Sequence, residues 1–319
     1  MNNQAATPQT GQRAVTPTPD PQNPWGVWGE PAVLVPYGPS GVGKSTDALY
    51  SFPTALFLRQ PGALKPSVRV VGYKPLWQKD ITTLMDAIKL LRAVGKLPAA
   101  QKPFVVVIDD LSLIAANTLR ALKDGGESGY SLWGTLGDLI SELCEVARRV
   151  AGVHVVMNGH DQAPFTDEEG AYWRGGPRLP SKKQTAQIPY IADGVYRCVN
   201  SDDRDGVPWR GVYRCVLDDA WMMKDRHGHY GDLPMNMAEI LRNAGYWLPR
   251  APGLEWQETW AELIAQSITA TPERRSAVKT GAIDKMKQNG FHPLHIRWAV
   301  RDGLDRAALR LADQKILDF

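Results

Sequence analysis

The chain has 319 residues, of which 43% are hydrophobic and 22% charged, and its formal net charge is +3. This composition is typical of a globular protein with a sizeable core, and the small net charge does not by itself indicate nucleic-acid binding. No apolar run reaches membrane-spanning length, the N-terminus lacks the basic and apolar regions of a signal peptide, and the three cysteines lack metal-ligand spacing. These features favour a protein of a reducing cytoplasm and exclude a membrane-embedded one.

Residues 1–24 form a tract rich in Pro, Thr, Gln and Asn with almost no apolar content. Such a segment cannot bury enough surface to offset its ordering entropy, so we predict a flexible arm. A partner-binding arm is the alternative interpretation. Trp25 and Trp28 are expected to fasten the end of this arm to the domain that follows.

An apolar strand at 33–35 runs into a loop that fills every fixed position of the P-loop signature, Gly38-x-x-x-x-Gly43-Lys44-Ser45. Glycines let successive backbone N–H groups point at phosphates from a helix N-terminus. Lys44 is expected to reach the β- and γ-phosphates, and the Ser45 hydroxyl to ligate Mg²⁺. The predicted nucleotide-binding residues are Gly38, Pro39, Ser40, Gly41, Val42, Gly43, Lys44, Ser45 and Thr46.

The segment after the P-loop alternates between predicted helices and strands. Residues 45–51 are expected to form a helix closed by Phe52-Pro53, followed by a buried strand at 54–58 and a short third strand at 68–71. The stretch Asp80-Ile-Thr-Thr is predicted to cap a helix that continues to about Val94.

A continuous apolar run, Phe104 to Ile108, ends in two acids, Asp109 and Asp110. Its lack of alternation predicts a strand in the middle of a parallel sheet. This is the Walker B pattern, in which a carboxylate at the strand tip holds Mg²⁺ beside the P-loop. We assign Asp109 to the metal, the alternative being an ordinary turn after a strand.

A further helix is predicted from Leu132 to Val150, and a further strand from Val153 to Met157. Because ligands of such α/β sheets bind at the carboxyl ends of the strands, Asn158 and His160 are expected near the γ-phosphate. They could instead be polar residues that merely cap the strand.

Residues 162–190 are predicted to form one long loop, which inside a compact domain is usually functional or disordered. Its cations are Arg174, Arg178, Lys182 and Lys183, and they are interleaved with aromatic residues and glycine. That mixture suits a channel for single-stranded nucleic acid. A solvated flexible loop fits the same composition.

Two near-identical segments, 195–199 and 212–216, flank a polar turn and predict an antiparallel hairpin. Shortly afterwards come Lys224 and Arg226, which are separated by one residue and so could reach one phosphate group. A Pro- and Gly-containing stretch at 247–253 is interpreted as a linker, and the chain from Leu254 onward is predicted to be helical. The expected division is an arm at 1–24, an α/β domain at 25–246 and a helical region at 254–319.

Taken in order, the motifs resemble those of the phage-encoded RecA-like P-loop ATPases of the Sak single-strand-annealing group, and more distantly the RecA core. The series consists of the P-loop, Ser51-Phe-Pro53, Ile108-Asp-Asp-Leu-Ser112, Asn158-Gly-His160, Ile191-Ala-Asp193 and Lys224-x-Arg226. It covers residues 30–245. The resemblance implies a RecA-like P-loop NTPase core with a mostly parallel central sheet, an antiparallel hairpin at one edge and a small helical C-terminal appendage.

The resemblance further implies ATP and Mg²⁺ as cofactors, single-stranded DNA as partner, and a ring or filament of identical subunits in the cytoplasm of the bacterial host. Lys44, Ser45 and Asp109 would serve nucleotide and metal, and His160 would sense the γ-phosphate. Lys224 and Arg226 would enter a neighbour's ATP site. The segment 172–190, called the basic segment below, would bind DNA.

There is one departure from the family pattern. RecA-type enzymes carry a catalytic Glu after the second core strand, where this chain has Arg59-Gln60-Pro-Gly62. Asp110 could orient the attacking water instead. The sequence therefore leaves three hypotheses: a DNA-dependent ATPase of recombination type, a nucleotide-gated binding protein with little turnover, and a packaging or helicase-loading motor subunit.

Overall fold

A computed structural model describes residues 20–200, 211–215, 218–229, 231–249 and 272–303. The strands are β1 (Val33–Gly38), β2 (Leu56–Arg59), β3 (Trp77–Asp80), β4 (Val105–Asp109), β5 (His154–Gln162), β6 (Phe165–Thr166), β7 (Tyr172–Trp173), β8 (Gly176–Pro177), β9 (Gly194–Asn200), β10 (Gly211–Arg214), β11 (Lys224–Asp225) and β12 (Leu233–Pro234). The α-helices are α1 (Lys44–Ser51), α2 (Lys65–Val71), α3 (Leu84–Gly95), α4 (Leu111–Asp124), α5 (Gly129–Glu145), α6 (Lys182–Ile191), α7 (Met237–Asn243) and α8 (Pro272–Gln288), with a further helical segment at 293–303.

The main sheet has the order β12-β10-β9-β1-β5-β4-β2-β3. Strands β9, β1, β5, β4, β2 and β3 run parallel to one another, whereas β10 pairs antiparallel with β9 and β12 antiparallel with β10. The P-loop strand β1 therefore lies at the centre, and β5 separates it from β4. The predicted α/β architecture, with a mostly parallel sheet, an antiparallel hairpin on one side and C-terminal helices, is confirmed.

Helices cover both faces of this sheet, as the fully apolar central strands require. Leu34 of β1 joins the core cluster formed with α1, α2, α7 and the C-terminal helices. Val33 and Val35, on the opposite face of the same strand, join the cluster formed with α3, α4, α5 and α6. These two helix layers enclose β1 and β4, and this packing positions the loops that leave the carboxyl ends of both strands.

The predicted third strand at 68–71 is wrong, because these residues belong to helix α2. Their β-branched side chains suggested a strand. Pro66 lies in the first turn of the helix, where proline is tolerated, and Gly72 ends it in the left-handed conformation. The third strand is β3, which pairs parallel with β2.

The predicted cap of the next helix lies within the stretch 80–83, at its last residue, Thr83, rather than at Asp80. Asp80 is the last residue of β3, and helix α3 begins after Thr83. The Thr83 side chain accepts from the Asp86 N–H, and the Asp86 carboxylate accepts from the Thr83 N–H at 2.9 Å, which makes a capping box.

The predicted long loop at 162–190 is replaced by regular structure. Strands β6 and β7 form a small hairpin, β8 pairs antiparallel with the end of β5, and α6 covers the last third of the segment. Strands of two residues are too short to show periodicity, so no sequence pattern indicates them. Helix α4 likewise had no counterpart in the sequence prediction.

The first and last described segments, residues 20–28 and 293–303, pack onto the same core. The Trp28 indole N–H donates to the Ala244 carbonyl at 2.7 Å, and the Trp25 ring meets His154 edge-on, so the predicted fastening of the arm's end is confirmed. Trp298, from 293–303, is 1% exposed and its ring meets Tyr73 edge-on. Residues 1–19 of the predicted arm and 201–210 of the predicted turn lie outside the described residues.

None of the described helices is long and apolar enough to cross a membrane.

Candidate nucleotide-binding site

The P-loop curls between β1 and α1 in the conformation that an anion cradle requires. Gly41 and Gly43 have φ of 83° and 103°, which an L side chain rarely adopts. A Cβ on Gly38 would lie 2.4 Å from the Cys198 carbonyl oxygen. Helix α1 begins at Lys44 with no side-chain cap, so its first N–H groups are available to a phosphate.

Lys44 is buried in the mouth of this loop. Its Nζ donates to the carbonyls of Gly38 at 2.7 Å and Pro39 at 2.8 Å. Burial lowers the pKa of Lys44, and the nearby Asp109 and Asp110 carboxylates oppose that shift. The ammonium group is therefore close to the uncapped end of α1, where a triphosphate would lie.

Ser45 and Asp109 meet as a magnesium site would require. The Ser45 hydroxyl donates to Asp109 Oδ1 at 3.0 Å, and the Asn158 amide donates to the same oxygen at 3.0 Å. Two adjacent ligands of an octahedral Mg²⁺ with bonds near 2.0–2.1 Å lie about 2.9 Å apart. Asn158 Oδ1 is buried and has no hydrogen-bond partner in the part of the chain that the structure describes. The donor set, two oxygens at ligand spacing plus an unpartnered amide oxygen, fits the metal.

Asp109 is buried at the tip of β4, next to Asn158 of β5 in register. Burial raises the pKa of its carboxyl, and the hydrogen bonds from Asn158 and Ser45 act in the opposite direction. A cation at this position would favour the ionised form in the same way.

Asp110 and His160 form a pair beside the metal residues. His160 Nε2 lies 2.8 Å from Asp110 Oδ2, and Asp110 Oδ1 accepts from the Leu113 N–H at 2.6 Å as the cap of α4. His160 is in β5, directly across from Gly38. Its backbone N–H donates to the Ser112 hydroxyl at 3.0 Å. Both oxygens of the Asp110 carboxylate are thus held in place.

One residue at this site, Ser112, had no role in the sequence prediction, and it fixes the backbone of His160. Asn158 was expected near the γ-phosphate. It lies in β5, which continues to Gln162 beyond the predicted end at Met157, and its amide orients Asp109 of the neighbouring strand β4. The role of Ser112 depended on helix α4, which was not predicted.

The end of β2 carries no acid, as the sequence indicated. Arg59 pairs with Asp80 at 3.1 Å and with the Gln78 side chain at 3.1 Å, so it faces β3. The neighbouring Gln60 donates its backbone N–H to the Asp109 carbonyl at 3.4 Å. Its Nε2 is buried and meets no hydrogen-bond partner within the described ranges.

The four predicted DNA-binding cations differ in their environments. Arg174, Arg178 and Lys183 are exposed, and Arg174 lies 3.7 Å from Asp219. Lys182 instead pairs with Asp167 at 3.1 Å and lies over the rings of Phe165 and Trp173.

Asp167 also accepts from the Trp173 indole N–H at 2.7 Å, and these hydrogen bonds lower its pKa to about 2. The backbone N–H of Arg178 donates to the His160 carbonyl at 2.8 Å. The basic segment is therefore attached directly to the candidate γ-phosphate sensor.

Lys224 and Arg226 do not join the P-loop of their own chain. Lys224 is in register with Val195, which pairs with Val35, three residues or about 10 Å before Gly38. Its Nζ donates to the carbonyls of Pro189 and Ala192, and Arg226 pairs with Asp193 at 3.0 Å. The pair lies toward the amino end of the parallel strands.

Comparisons with known proteins add little to this geometry. No protein-family model and no curated protein matches the chain. Among solved structures, the crystal structure of the RadB recombinase is similar at a TM-score of 0.40 and 13% identity, covering 64% of this chain and 86% of that chain.

Proposed function

We propose that this protein binds Mg·ATP at the carboxyl end of its sheet and hydrolyses it in response to single-stranded DNA. The observation that carries the proposal is the contact of the Ser45 hydroxyl with Asp109, 3.0 Å apart, next to the uncapped N-terminus of α1. A P-loop helix and a metal carboxylate joined in this way are what triphosphate binding requires.

Each residue then has a distinct part. The N–H groups of residues 41–46 hold the phosphates, and Lys44 leaves its loop carbonyls to reach the γ-phosphate. Ser45 and Asp109 would hold Mg²⁺, which neutralises charge on the β- and γ-phosphate oxygens. Asp110, fixed by His160 and by the Leu113 N–H, orients the attacking water and accepts its proton.

DNA binding is proposed for the segment from Tyr172 to Lys183. Arg174, Arg178 and Lys183 are exposed cations, and Tyr172 is a 57% exposed ring on which a base could stack. Because the Arg178 N–H bonds to the His160 carbonyl, a movement of this segment on DNA would reach the residue that holds Asp110. That connection is the route by which DNA would stimulate turnover.

A second candidate function is a nucleotide-gated binding protein with little turnover. It is favoured by the neutral Gln60 after β2 and by the engagement of both Asp110 oxygens. The setting of either function, a RecA-type ring or filament in phage recombination or replication in the host cytoplasm, rests on the sequence resemblance. A packaging or helicase-loading motor is the third hypothesis.

The two main candidates separate in one assay. ATP turnover is measured with Mg²⁺, with and without single-stranded DNA, on the full chain and on Asp110→Asn. Turnover that DNA stimulates in the wild type and that the substitution lowers supports the ATPase. Tight ATP binding with no turnover in either protein supports the nucleotide-gated binder.

A further inference from the structure

A second cluster of ligand-type side chains lies in the segment 225–229, away from the P-loop. It consists of Asp225, His227 and His229, whose potential ligand atoms all lie within 4.8 Å of one another. The three side chains are 5%, 1% and 9% exposed. Every second residue of this short segment thus contributes a ligand group, and the three groups face one another.

The spacing of the donor atoms matches a small metal ion. His227 Nδ1 lies 3.6 Å from Asp225 Oδ1, and His229 Nδ1 lies 3.1 Å from Asp225 Oδ2. Tetrahedral zinc with bonds of about 2.0–2.1 Å places its ligand atoms about 3.4 Å apart. The two separations, each to a different oxygen of the carboxylate, lie on either side of that value, and all the potential ligand atoms lie within 4.8 Å of one another.

The carboxylate is held by its own surroundings. Asp225 Oδ1 accepts from the His227 N–H at 3.0 Å and from the Tyr196 hydroxyl at 3.1 Å, and Oδ2 accepts from the His229 N–H. Gly228, with φ of 76°, turns the chain so that both imidazoles face the same carboxylate. The Tyr246 hydroxyl lies 3.4 Å from His227 Nε2 as an outer partner.

Both imidazoles turn Nδ1 toward the carboxylate, and the lone pair of that nitrogen is what a neutral histidine offers to a metal ion. His229 Nε2 would then carry the ring proton. It is buried and finds no hydrogen-bond partner among the described residues, and an ion at Nδ1 would not supply one. The convergence of two Nδ1 atoms on one carboxylate is the feature that points to a metal.

We propose that Asp225, His227 and His229 form a binding site for one divalent transition-metal ion, with zinc as the best fit. Two imidazoles and one carboxylate suit zinc and its neighbours, whereas Mg²⁺ and Ca²⁺ prefer oxygen ligands alone. Three protein ligands leave a fourth position for water. The ion would stabilise the segment that also carries Lys224 and Arg226.

This site is independent of the proposed ATPase function. Asp225 is in register with Gly194, and Gly194 with Leu34, at the amino end of the strands. Metal binding at this end can be tested without nucleotide. Failure of one proposal therefore leaves the other standing.

The test uses the full chain after treatment with a chelator. Zn²⁺ is titrated in competition with a chromophoric chelator into the wild type, His227→Gln/His229→Gln, and the matched control His292→Gln. The wild type and the control are expected to take up one ion per chain. The double variant should lose more affinity than the ~10–100-fold typical of removing an outer-shell partner.

A second measurement needs no variant that might fail to fold. Co²⁺ bound to the wild type in a four-coordinate site gives an intense visible spectrum, whereas six-coordinate binding at Ser45 and Asp109 gives a weak one. An intense spectrum supports the proposal. Zinc uptake that survives in the double variant, or a spectrum of six-coordinate cobalt only, would overturn it.

Discussion

The two ends of the parallel sheet use buried polar groups in different ways. At the carboxyl end, Ser45 and Asn158 each donate to Asp109 at 3.0 Å, and Asn158 Oδ1 has no partner among the residues that the structure describes. At the amino end, one carboxylate, Asp193, accepts from the Val33 N–H and pairs with both Arg148 and Arg226. The first arrangement offers its atoms to a ligand, and the second joins distant parts of the chain.

This difference teaches where a chemical role can be located. Polar groups that satisfy one another, as around Asp193, hold the fold together. Polar groups that converge on one point and leave an atom without a partner among the described residues, as around Asn158, point to a ligand. The predictions below test that distinction from the largest expected effect to the smallest.

The largest effect concerns the amino end acting on a neighbouring subunit. We predict that Lys224→Ala/Arg226→Ala loses ATPase activity, since a finger residue contributes roughly 10³–10⁵ in rate. Mixed with Lys44→Ala chains, it should recover part of that activity, because an intact P-loop can then face an intact pair. Turnover of the mixture is the measurement. No recovery from chains that co-assemble would assign the pair to the contacts with Asp193 and Pro189.

At the carboxyl end, Asp110→Asn is expected to slow hydrolysis by about 10²–10⁴-fold and to leave ATP affinity nearly unchanged. Asp109→Asn should weaken both, because Asp109 shares its oxygen with Ser45. Single-turnover rates and ATP affinities measured side by side separate the two. Wild-type turnover in Asp110→Asn would mean that the base lies elsewhere.

The basic segment offers a matched pair of neighbouring lysines. Arg174→Ala/Arg178→Ala/Lys183→Ala should lower the logarithmic salt slope of single-stranded DNA binding by about 2, at roughly 0.7 per phosphate contact. Lys182→Ala should change it less, because that amine is paired with Asp167. Binding is measured over a series of salt concentrations. Equal slopes in the triple variant and the wild type would assign this segment to subunit contacts or to no role.

The last effect is on stability rather than on activity or binding, and it appears in acid. Burial lowers the pKa of His154 to about 3, and its Nδ1 accepts from the Ala32 N–H. The unfolded chain therefore binds a proton that the folded chain does not, and stability falls as the pH drops from about 6.5 to 3, by about 1.4 kcal/mol per unit. In denaturant unfolding, His154→Gln should flatten this slope more than His292→Gln does. An unchanged slope would contradict the burial argument.

The strands and the loop of the carboxyl end could be predicted from the sequence because they are built from contiguous patterns. The glycines of the P-loop and the apolar run before Asp109 encode their own local structure. The hairpin of β9 and β10 was equally readable from two matching strands, and its register, Val212 across from Val199, follows. These elements needed no knowledge of distant contacts.

The errors have a common physical cause, which is that tertiary context decided between local alternatives. Residues 68–71 have strand-forming side chains, but Pro66 and Gly72 bound a helix there. The pairing of Arg226 with Asp193 joins segments 33 residues apart. The convergence of His227 and His229 on Asp225 depends on the turn at Gly228, and no periodic pattern in the sequence predicts that turn.

The central claim is that the carboxyl end of the sheet binds Mg·ATP, and equilibrium ATP binding tests it most directly. ATP affinity is measured with and without Mg²⁺ for the wild type, Lys44→Ala and the control Lys89→Ala, an exposed lysine of α3, with circular dichroism to verify folding. The account predicts Mg²⁺-dependent binding in the wild type and the control. Folded Lys44→Ala should bind at least about tenfold more weakly, because a charged hydrogen bond contributes about 1.5–3 kcal/mol. Equal affinity in folded Lys44→Ala and the wild type would contradict it.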